Sequence, residues 1–246
     1  MRVLLNEIAP HAAAPGTEVS GEALAVLYAH PQRWTRANMV ATLDGAGTGG
    51  DGLTGSINTP ADHAVYRLLR DLADVVLVGA GTARAEGYRR PGPRTRPGRT
   101  PCPDVAVVSR SALVPSGLAA PDRGRGGAWM ITRAAAGEEA LERARALLGA
   151  DRVLVHGDTE VDLRAALADL ADRGLSRVLC EGGPSLLADV AARGLLDELC
   201  LTTVPLLAGG GARRIATGAP VGLDLRPRLV LEAEGTLLHR FVRPAP

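Results

Sequence analysis

The sequence of 246 residues contains no lysine, so all 28 of its basic residues are arginine. A chain without a lysine amine cannot form a pyridoxal Schiff base, catalyse a lysine-dependent aldol reaction or supply the lysine of a phosphate-binding P-loop. These classes of protein are therefore excluded by the residues alone.

Cysteine is scarce as well, since only Cys102, Cys180 and Cys200 occur and no two of them form a C-x-x-C pair. This pattern favours neither a disulfide framework nor a cysteine-based zinc site. The five histidines show no metal-ligand spacing, and the G-x-S-x-G and H-x-E…P-C-x-x-C motifs are absent. We therefore expect no metal, no serine-nucleophile elbow and no zinc deaminase.

Charge and long apolar runs are also limited. The net charge is only +1, whereas nucleic-acid-binding proteins normally carry a basic surplus. No window approaches the roughly 18 apolar residues of a membrane span, and Asn6 and Glu7 interrupt the short apolar run at the N-terminus. Because 46% of the residues are hydrophobic, a real core is expected. These features predict a soluble, cytoplasmic protein that binds neither nucleic acid nor membrane.

Apolar stretches alternate with helical patterns, which is typical of α/β proteins with a largely parallel sheet. A hydroxyl cap at Thr59, followed by Pro60, predicts a helix start. The patterns predict strands over 36–43, 75–78, 105–109, 128–132, 152–156, 177–180 and 197–204, and a hairpin over 228–242 that turns near Glu234. They predict further helices over 138–148, 161–173 and from about Ser185 to Gly194.

Residues 89–103 stand apart because they contain five arginines and five prolines. Such a composition does not pack well and predicts a mobile surface loop. It could link two domains, but the alternation of strands and helices resumes after it. We therefore favour an insertion within a single domain, 1–246, that has a core of about 34–243 and an N-terminal extension, 1–33.

Two glycine-bearing turns follow apolar strands. One comprises Gly79, Ala80, Gly81 and Thr82, and the other runs from Glu181 to Leu186 and opens a helix. Free N–H groups at such turns attract phosphate, and glycine lets the backbone approach it. Together the turns indicate a dinucleotide across the carboxyl ends of a sheet. The alternatives are a tight strand-to-helix turn and, for Thr82, a helix N-cap.

Other candidate groups lie near strand ends. Residues 47–52 match G-x-G-x-x-G without the helix that the dinucleotide fingerprint requires, so a flexible loop is favoured and a loop that closes over a ligand stays open. Ser109 and Arg110 could hold a ribose 2′-phosphate, or could simply end a strand in solvent. Asp44, Glu86 and Glu181 are carboxylates at strand or loop ends, and each could donate a proton or bind a hydroxyl group, although capping or turn formation is the more common role there. Arg70 could form a salt bridge or hold a substrate phosphate.

Three blocks in order resemble a known family: NMVATLDG (38–45), LLRDLADVVLVGAGTARAEGY (68–88) and CEGGPSLLADVAARGLLDELCLTTVPLLAGG (180–210). They are similar to the C-terminal reductase domain of the bifunctional deaminase–reductase of riboflavin biosynthesis. The resemblance covers residues 34–243. It implies a three-layer α/β/α, dihydrofolate reductase-like fold with a central mixed, mostly parallel sheet.

The resemblance also implies an NADPH site, a homodimer and reduction of 5-amino-6-(5-phosphoribosylamino)uracil to its ribitylamino form. On the substrate side it implies contacts by Asn38, Thr54, Ser56, Arg70 and Glu181. On the cofactor side it implies contacts by Val40, Gly79, Gly81, Thr82, Glu86, Ser109, Arg110, Thr132, Gly182, Gly183, Pro184, Ser185, Leu186 and Leu187. Ser56, Glu86, the missing lysine before the first block and the arginine-rich segment depart from the family pattern, mainly on the substrate side.

Hydride transfer to an imine must be completed by a proton on nitrogen. Asp44 is the residue predicted to bind the substrate or to help deliver that proton, with water as the alternative donor. Two other functions stay open. One is dihydrofolate reductase-like reduction of a pterin or another heterocycle. The other is a non-catalytic protein that binds NADPH.

Overall fold

A computed structural model describes residues 1–96, 100–119 and 123–244. Within these ranges the chain forms one mixed sheet. Its strands are β1 (Arg2–Asn6), β2 (Trp34–Thr42), β3 (Val75–Gly79), β4 (Asp104–Val108), β5 (Ala128–Thr132), β6 (Val153–Val155), β7 (Arg177–Cys180), β8 (Glu198–Val204), β9 (Arg226–Ala233) and β10 (Thr236–Val242).

The strands follow the order β1-β9-β10-β8-β2-β7-β3-β4-β5-β6 across the sheet. All neighbours from β8 to β6 are parallel, and the pairs among β1, β9, β10 and β8 are antiparallel. The predicted mixed, mostly parallel sheet is therefore confirmed. So is the hairpin of β9 and β10, which turns at Glu234 and Gly235.

Helices cover both faces of the sheet and complete the three layers. They are α1 (Gly21–Leu27), α2 (Pro60–Leu72), α3 (Ala80–Ala85), α4 (Ser116–Ala119), α5 (Glu138–Leu148), α6 (Leu163–Asp172) and α7 (Pro184–Ala192). Short 3-10 helices lie at Thr54–Ile57, Ala134–Ala136 and Ala150–Arg152. Among these described helices, none combines the length and apolar character needed to cross a membrane.

The sheet divides the hydrophobic core into two parts, one on each face, and strand β3 contributes to both. Its residues alternate between the two faces of the sheet, as side chains of a strand must. Val76 and Val78 pack with α2 and α5 on one face, whereas Val75 and Leu77 pack with α6 and α7 on the other. A strand buried on both faces is continuously apolar, and this is why the sequence pattern located β3 so well.

Helix α2 begins as its sequence predicts. The hydroxyl of Thr59 accepts a hydrogen bond from the N–H of Asp62 at 3.2 Å, and Pro60 occupies the first turn, where its missing N–H costs nothing. This start fixes which side chains of α2 face the carboxyl end of the sheet.

The N-terminal segment 1–33 belongs to the same sheet and core. Strand β1 pairs with β9 at the edge of the sheet, and Leu27 and Tyr28 at the end of α1 are fully buried. Neither element was predicted. The segment 89–103 runs from α3 to β4, and residues 97–99 of it lie outside the described ranges.

A cluster of buried charges lies at the amino ends of β2 and β8. Glu198 is 0% exposed and accepts hydrogen bonds from the Nε of Arg240 at 2.6 Å and from the indole of Trp34 at 3.0 Å. The guanidinium of Arg36 lies 2.7 Å from the same carboxylate and also donates to the carbonyl of Tyr28. Carbonyls at the end of α1 thus share the excess positive charge.

We expect Glu198→Gln to lower the free energy of unfolding by about 3–5 kcal/mol, because two buried guanidiniums would lose their counter-charge. Glu139→Gln is the matched control, since Glu139 forms an exposed pair with Arg143 and such pairs contribute less than about 1 kcal/mol. Urea denaturation of both variants measures the difference. Equal losses in the two variants would contradict the assignment.

Candidate functional site

The carboxyl ends of the parallel strands open onto a cleft of about 1520 Å³. This main cleft is lined by residues that follow β3, β4 and β7, and by residues of the segments 47–52 and 208–219. Ligands of open α/β sheets bind at this edge. The cleft is large enough for a dinucleotide.

The two predicted glycine turns meet at the floor of the main cleft. The N–H of Gly79 donates to the carbonyl of Gly182 at 2.7 Å. A Cβ atom on Gly79 would lie 3.5 Å from the backbone nitrogen of Gly183, and one on Gly183 would collide with Oγ1 of Thr82. The two turns, 79–82 and 182–186, therefore form one continuous backbone surface, which we call the glycine cradle, and a side chain at 183 would require Thr82 to move.

Most of the predicted cofactor-side residues line the main cleft. The structure places there Gly79, Gly81, Thr82, Glu86, Ser109, Arg110, Gly183, Pro184, Ser185 and Leu186. Four others do not line it: Gly182 presents its carbonyl to Gly79, while Val40, Thr132 and Leu187 are buried. Thr132 and Leu187 therefore lack the surface to contact a ligand in the cleft.

The glycine-rich segment 47–52 crosses the main cleft. Its Gly47 donates its N–H to the carbonyl of Arg213 at 2.8 Å, and the chain continues into a 3-10 helix, Thr54–Ile57. No α-helix follows these glycines directly, so they are not a dinucleotide-binding turn. Their position beside 208–219 fits the alternative of a loop that covers a ligand.

Several hydrogen bonds hold the carboxylate of Asp44. Its carboxylate accepts hydrogen bonds from the hydroxyl of Thr42 and from the N–H groups of Gly209 and Ala208, and these bonds lower the pKa of Asp44 to about 2. The residue is exposed and lines neither cleft. These hydrogen bonds connect Asp44 to the segment 208–219, and its role toward the substrate or the proton stays a prediction.

Arg133 is a residue of the main cleft that the sequence analysis missed. It follows β5 as Arg110 follows the neighbouring strand β4, and its Nε donates to the carbonyl of Arg110 at 3.1 Å. Both arginines line the same end of the cleft. The repeated strand–arginine pattern was the signal that could have revealed it.

A second cleft, of about 500 Å³, joins the main one. The predicted residues Asn38, Val40, Thr54 and Arg70 line it. Six residues line both clefts and mark where they meet: Met39, Gly47, Thr54, Thr82, Glu86 and Glu181. Ser56 lines neither, because its hydroxyl is turned to Asp51 and to the carbonyl of Leu53.

A hydrogen-bonded network surrounds Glu181 at this junction. Arg70 donates through Nε and Nη2 to the two carboxylate oxygens, each at 2.7 Å, and the hydroxyl of Tyr88 donates at 2.6 Å. The guanidinium lies 4.5 Å from the ring centre of Tyr66 and 5.5 Å from that of Tyr88. The sequence left open whether Arg70 forms a salt bridge or holds a substrate phosphate, and the structure shows the salt bridge.

Burial and neighbouring charges shift the pKa values of Arg70 and Tyr88 in this network. Burial opposes the charge of Arg70, but the carboxylate of Glu181 outweighs it and raises the pKa of Arg70. Burial, reinforced by Glu181, raises the pKa of the Tyr88 hydroxyl well above its usual value. Tyr88 therefore keeps its proton and donates it in a hydrogen bond to Glu181.

Asp62 is a second residue that the sequence analysis missed as a site residue. It lines the second cleft and is only 4% exposed. Burial raises its pKa, partly offset by a hydrogen bond from Thr202. A buried carboxyl with a raised pKa in a cleft is a candidate for proton chemistry. An acid in a first helical turn is so common that its sequence position gave no separate signal.

Within the described parts of the chain, no group of three or more His, Cys, Asp or Glu side chains is placed to hold a metal ion. The fold and its two joined clefts define an α/β protein that brings a nucleotide-sized ligand against a smaller one.

Comparison with known proteins gives the family. Residues 33–233 match the RibD C-terminal domain, so the chain belongs to the RibD C-terminal domain family. No curated protein sequence matches the chain.

Solved structures share the fold. A pyrimidine reductase-like protein of Corynebacterium diphtheriae is 25% identical, with a TM-score of 0.74 over 87% of this chain and 92% of that one. RibD of Acinetobacter baumannii is 17% identical, with a TM-score of 0.65 over 91% of this chain but 61% of that one. The riboflavin biosynthesis reductase Rib7 of Saccharomyces cerevisiae is 15% identical, with a TM-score of 0.56 over 87% and 90%.

The glycine cradle should tolerate alanine less well at position 183 than at position 79. Gly183→Ala should destabilise the fold by roughly 1–3 kcal/mol because its Cβ collides with Thr82. Gly79→Ala, whose Cβ meets ordinary contacts, should cost less than about 1 kcal/mol. Thermal denaturation of both, and of Gly183→Ala combined with Thr82→Ala, measures the coupling. If the second substitution restores no stability, the collision is not the cause.

Proposed function

We propose that the protein is an NADPH-dependent reductase that converts 5-amino-6-(5-phosphoribosylamino)uracil to its ribitylamino form. Membership of the RibD C-terminal domain family supports the reaction class. One observation of the structure carries the proposal: the main cleft and the second cleft meet at Met39, Thr82 and Glu181. A dinucleotide in one and a pyrimidine in the other would touch there.

The main cleft fits NADPH in size and in chemistry. A Cβ atom on Gly81 would meet nothing within 4 Å, which leaves room for a phosphate against that backbone, and α7 begins at Pro184 with N–H groups that attract anions. Arg110 and Arg133 line one end of the cleft beside Ser109, and guanidiniums suit a ribose 2′-phosphate. When bound, the reduced nicotinamide supplies the hydride.

The residues at the junction orient the reacting groups. Thr82 presents its hydroxyl beside Gly183 and lines both clefts. Arg70 and Tyr88 hold the Glu181 carboxylate in one position, so a substrate N–H or O–H would meet a fixed acceptor. Met39 and Val40 contribute an apolar wall, which limits water at the site.

Asp62 is the residue to hold the proton that reduction requires. Reduction of a C=N bond adds hydride to carbon and a proton to nitrogen. Burial favours the protonated form of Asp62, and its carboxyl lines the second cleft. Asp44, predicted from the sequence for this proton, is the alternative.

Asp62 also supports a second candidate substrate. A buried carboxylate can accept two parallel hydrogen bonds from a ring N–H and a neighbouring amino group, which is an edge that pterins present. Reduction of a pterin such as dihydrofolate is therefore the alternative within the same reductase class. The predicted homodimer stays a prediction.

An acceptor panel tests the function. We expect NADPH to be oxidised with the phosphoribosylaminouracil, more slowly with NADH in its place, and expect little turnover with dihydrofolate. The measurement is the fall in absorbance of NADPH with each acceptor. Turnover of dihydrofolate alone would establish the pterin alternative. Tight NADPH binding by calorimetry without reduction of any acceptor would establish a non-catalytic NADPH-binding protein.

Asp62→Asn should lower kcat roughly a hundredfold, the usual contribution of a general acid. In the wild type, kcat should fall as pH rises through the raised pKa of Asp62, and this limb should vanish in the variant. A buried acid with a raised pKa loses stability as pH rises above its ordinary value. The variant should therefore be at least as stable as the wild type at pH 7.

Asp172→Asn is the matched control, since Asp172 is an exposed acid of α6 outside both clefts. It should leave the pH profile of kcat and the thermal midpoint unchanged. Full turnover of Asp62→Asn with an unaltered pH profile would remove Asp62 from the reaction.

A further inference from the structure

Two segments that border the main cleft are joined to each other, and we call this pair, 43–52 and 206–219, the strap. The N–H of Gly47 donates to the carbonyl of Arg213 at 2.8 Å, and the residues beside these two form an antiparallel β-bridge. The carboxylate of Asp44 accepts two N–H groups of the second segment. These contacts make the two segments one unit.

The strap borders both clefts. Its second segment reaches the start of α7, where the N–H of Thr217 donates to the carbonyl of Pro184 at 3.2 Å. Its first segment includes Gly47, which lines both clefts, and leads into the 3-10 helix Thr54–Ile57. The residues just beyond the first segment that line the second cleft are Thr54, Gly55 and Asn58. A change in the strap therefore alters a wall of the second cleft.

Much of the strap has little packing of its own. A Cβ atom on Gly50, or on any of the glycines 209–211, would meet nothing within 4 Å, and residues 205–211 are all exposed. Glycine loses more backbone freedom on ordering than any other residue, and segments with few buried contacts open locally at little cost in free energy. A ligand that contacts the strap would therefore stabilise one arrangement of it.

Two arginines of the strap are placed to make such a contact. Arg213 and Arg214 are exposed and line the main cleft. In the described part of the chain, no group accepts a hydrogen bond from either guanidinium or forms an ion pair with it. Guanidiniums bind phosphate oxygens through charge-assisted hydrogen bonds, and the start of α7, which the strap contacts at Pro184, attracts anions as well. The space between them suits the phosphates of a dinucleotide.

We propose that Arg213 and Arg214 bind the phosphates of the dinucleotide, that this contact orders the strap, and that the ordered strap completes the wall of the second cleft. Binding of the dinucleotide therefore strengthens binding of the acceptor. This deepens the proposed function and rests on it. A second ligand binds more tightly when the first has already paid the entropy of ordering a shared segment. By linkage, the acceptor strengthens binding of the dinucleotide by the same factor.

Hydrogen exchange measured by mass spectrometry tests the proposal without turnover. In the wild type, saturating NADP⁺ should slow exchange at the glycine cradle, in both segments of the strap and in residues 53–58. In the double variant Arg213→Gln/Arg214→Gln, saturated with NADP⁺, the cradle should stay protected but the protection of 53–58 should be lost. Unchanged exchange of 53–58 in the wild type, or equal protection in the wild type and the variant, would overturn the proposal.

Calorimetry measures the coupling between the two ligands. NADP⁺ has no hydride to transfer, so its complex with the phosphoribosylaminouracil does not react. The wild type should bind this acceptor about fivefold more tightly, or better, when NADP⁺ is present. The double variant should bind NADP⁺ roughly tenfold more weakly and, at saturation with NADP⁺, should no longer bind the acceptor more tightly. Coupling of the same size in the variant would contradict the role of the two arginines.

Arg67→Gln/Arg143→Gln is the matched control, because it removes two exposed arginines that line neither cleft. It has the same net charge as the test variant. It should bind NADP⁺ as the wild type does and keep the protection of 53–58. An equal loss in this control would make net charge, and not the strap arginines, the cause.

The acceptor panel separates this proposal from the proposed function. Protection of 53–58 by NADP⁺ that depends on the two strap arginines, with no acceptor reduced, would refute the reductase function alone. Reduction of the phosphoribosylaminouracil, with no effect of NADP⁺ on the exchange of 53–58, would refute the role of the strap alone.

Discussion

The hydrogen bond from the N–H of Gly79 to the carbonyl of Gly182 is the contact on which the site depends. The two strands that precede it lie far apart in sequence, and β7 enters the sheet between β2 and β3. Their parallel register pairs Leu77 with Cys180, so both strands end at the same level. The turns then meet at one edge, and each has glycine where the other approaches. A shift of one residue in this register would separate the turns and divide the cleft.

The parts of the fold that the sequence predicts are those whose signal is local. Strands buried on both faces are continuous apolar runs, and glycine turns end them at visible positions. Thr59 and Pro60 mark the start of α2 in the same local way. The sequence analysis did not predict strand β1 or helix α1, because both elements are short and depend on contacts with distant parts of the chain. Arg2–Asn6 becomes a strand by pairing with β9, more than two hundred residues later.

The candidate site shows even more clearly that local sequence does not reveal contacts with distant parts of the chain. Asp44 and Asp62 are both acids at the end or start of an element, and nothing nearby in the sequence tells them apart. The surroundings of the two acids in the fold do distinguish them. The segment 208–219 lies beside Asp44 and donates N–H groups to its carboxylate, whereas Asp62 is buried and receives a hydrogen bond from Thr202 of β8. The direction in which each pKa is shifted is thus influenced by residues more than a hundred positions away in the sequence.

The distribution of charge follows from what burial permits. Deep charges are paired, as Glu198 is with two arginines and Arg70 is with Glu181. The middle of the joined clefts contains the glycine cradle, Met39 and this neutralised pair. Further arginines line the main cleft, namely Arg84, Arg110, Arg133, Arg213 and Arg214. These guanidiniums suit a ligand with several anionic groups, whose uncharged reacting ring can then meet the second ligand at the junction without bringing an unpaired charge into the interior.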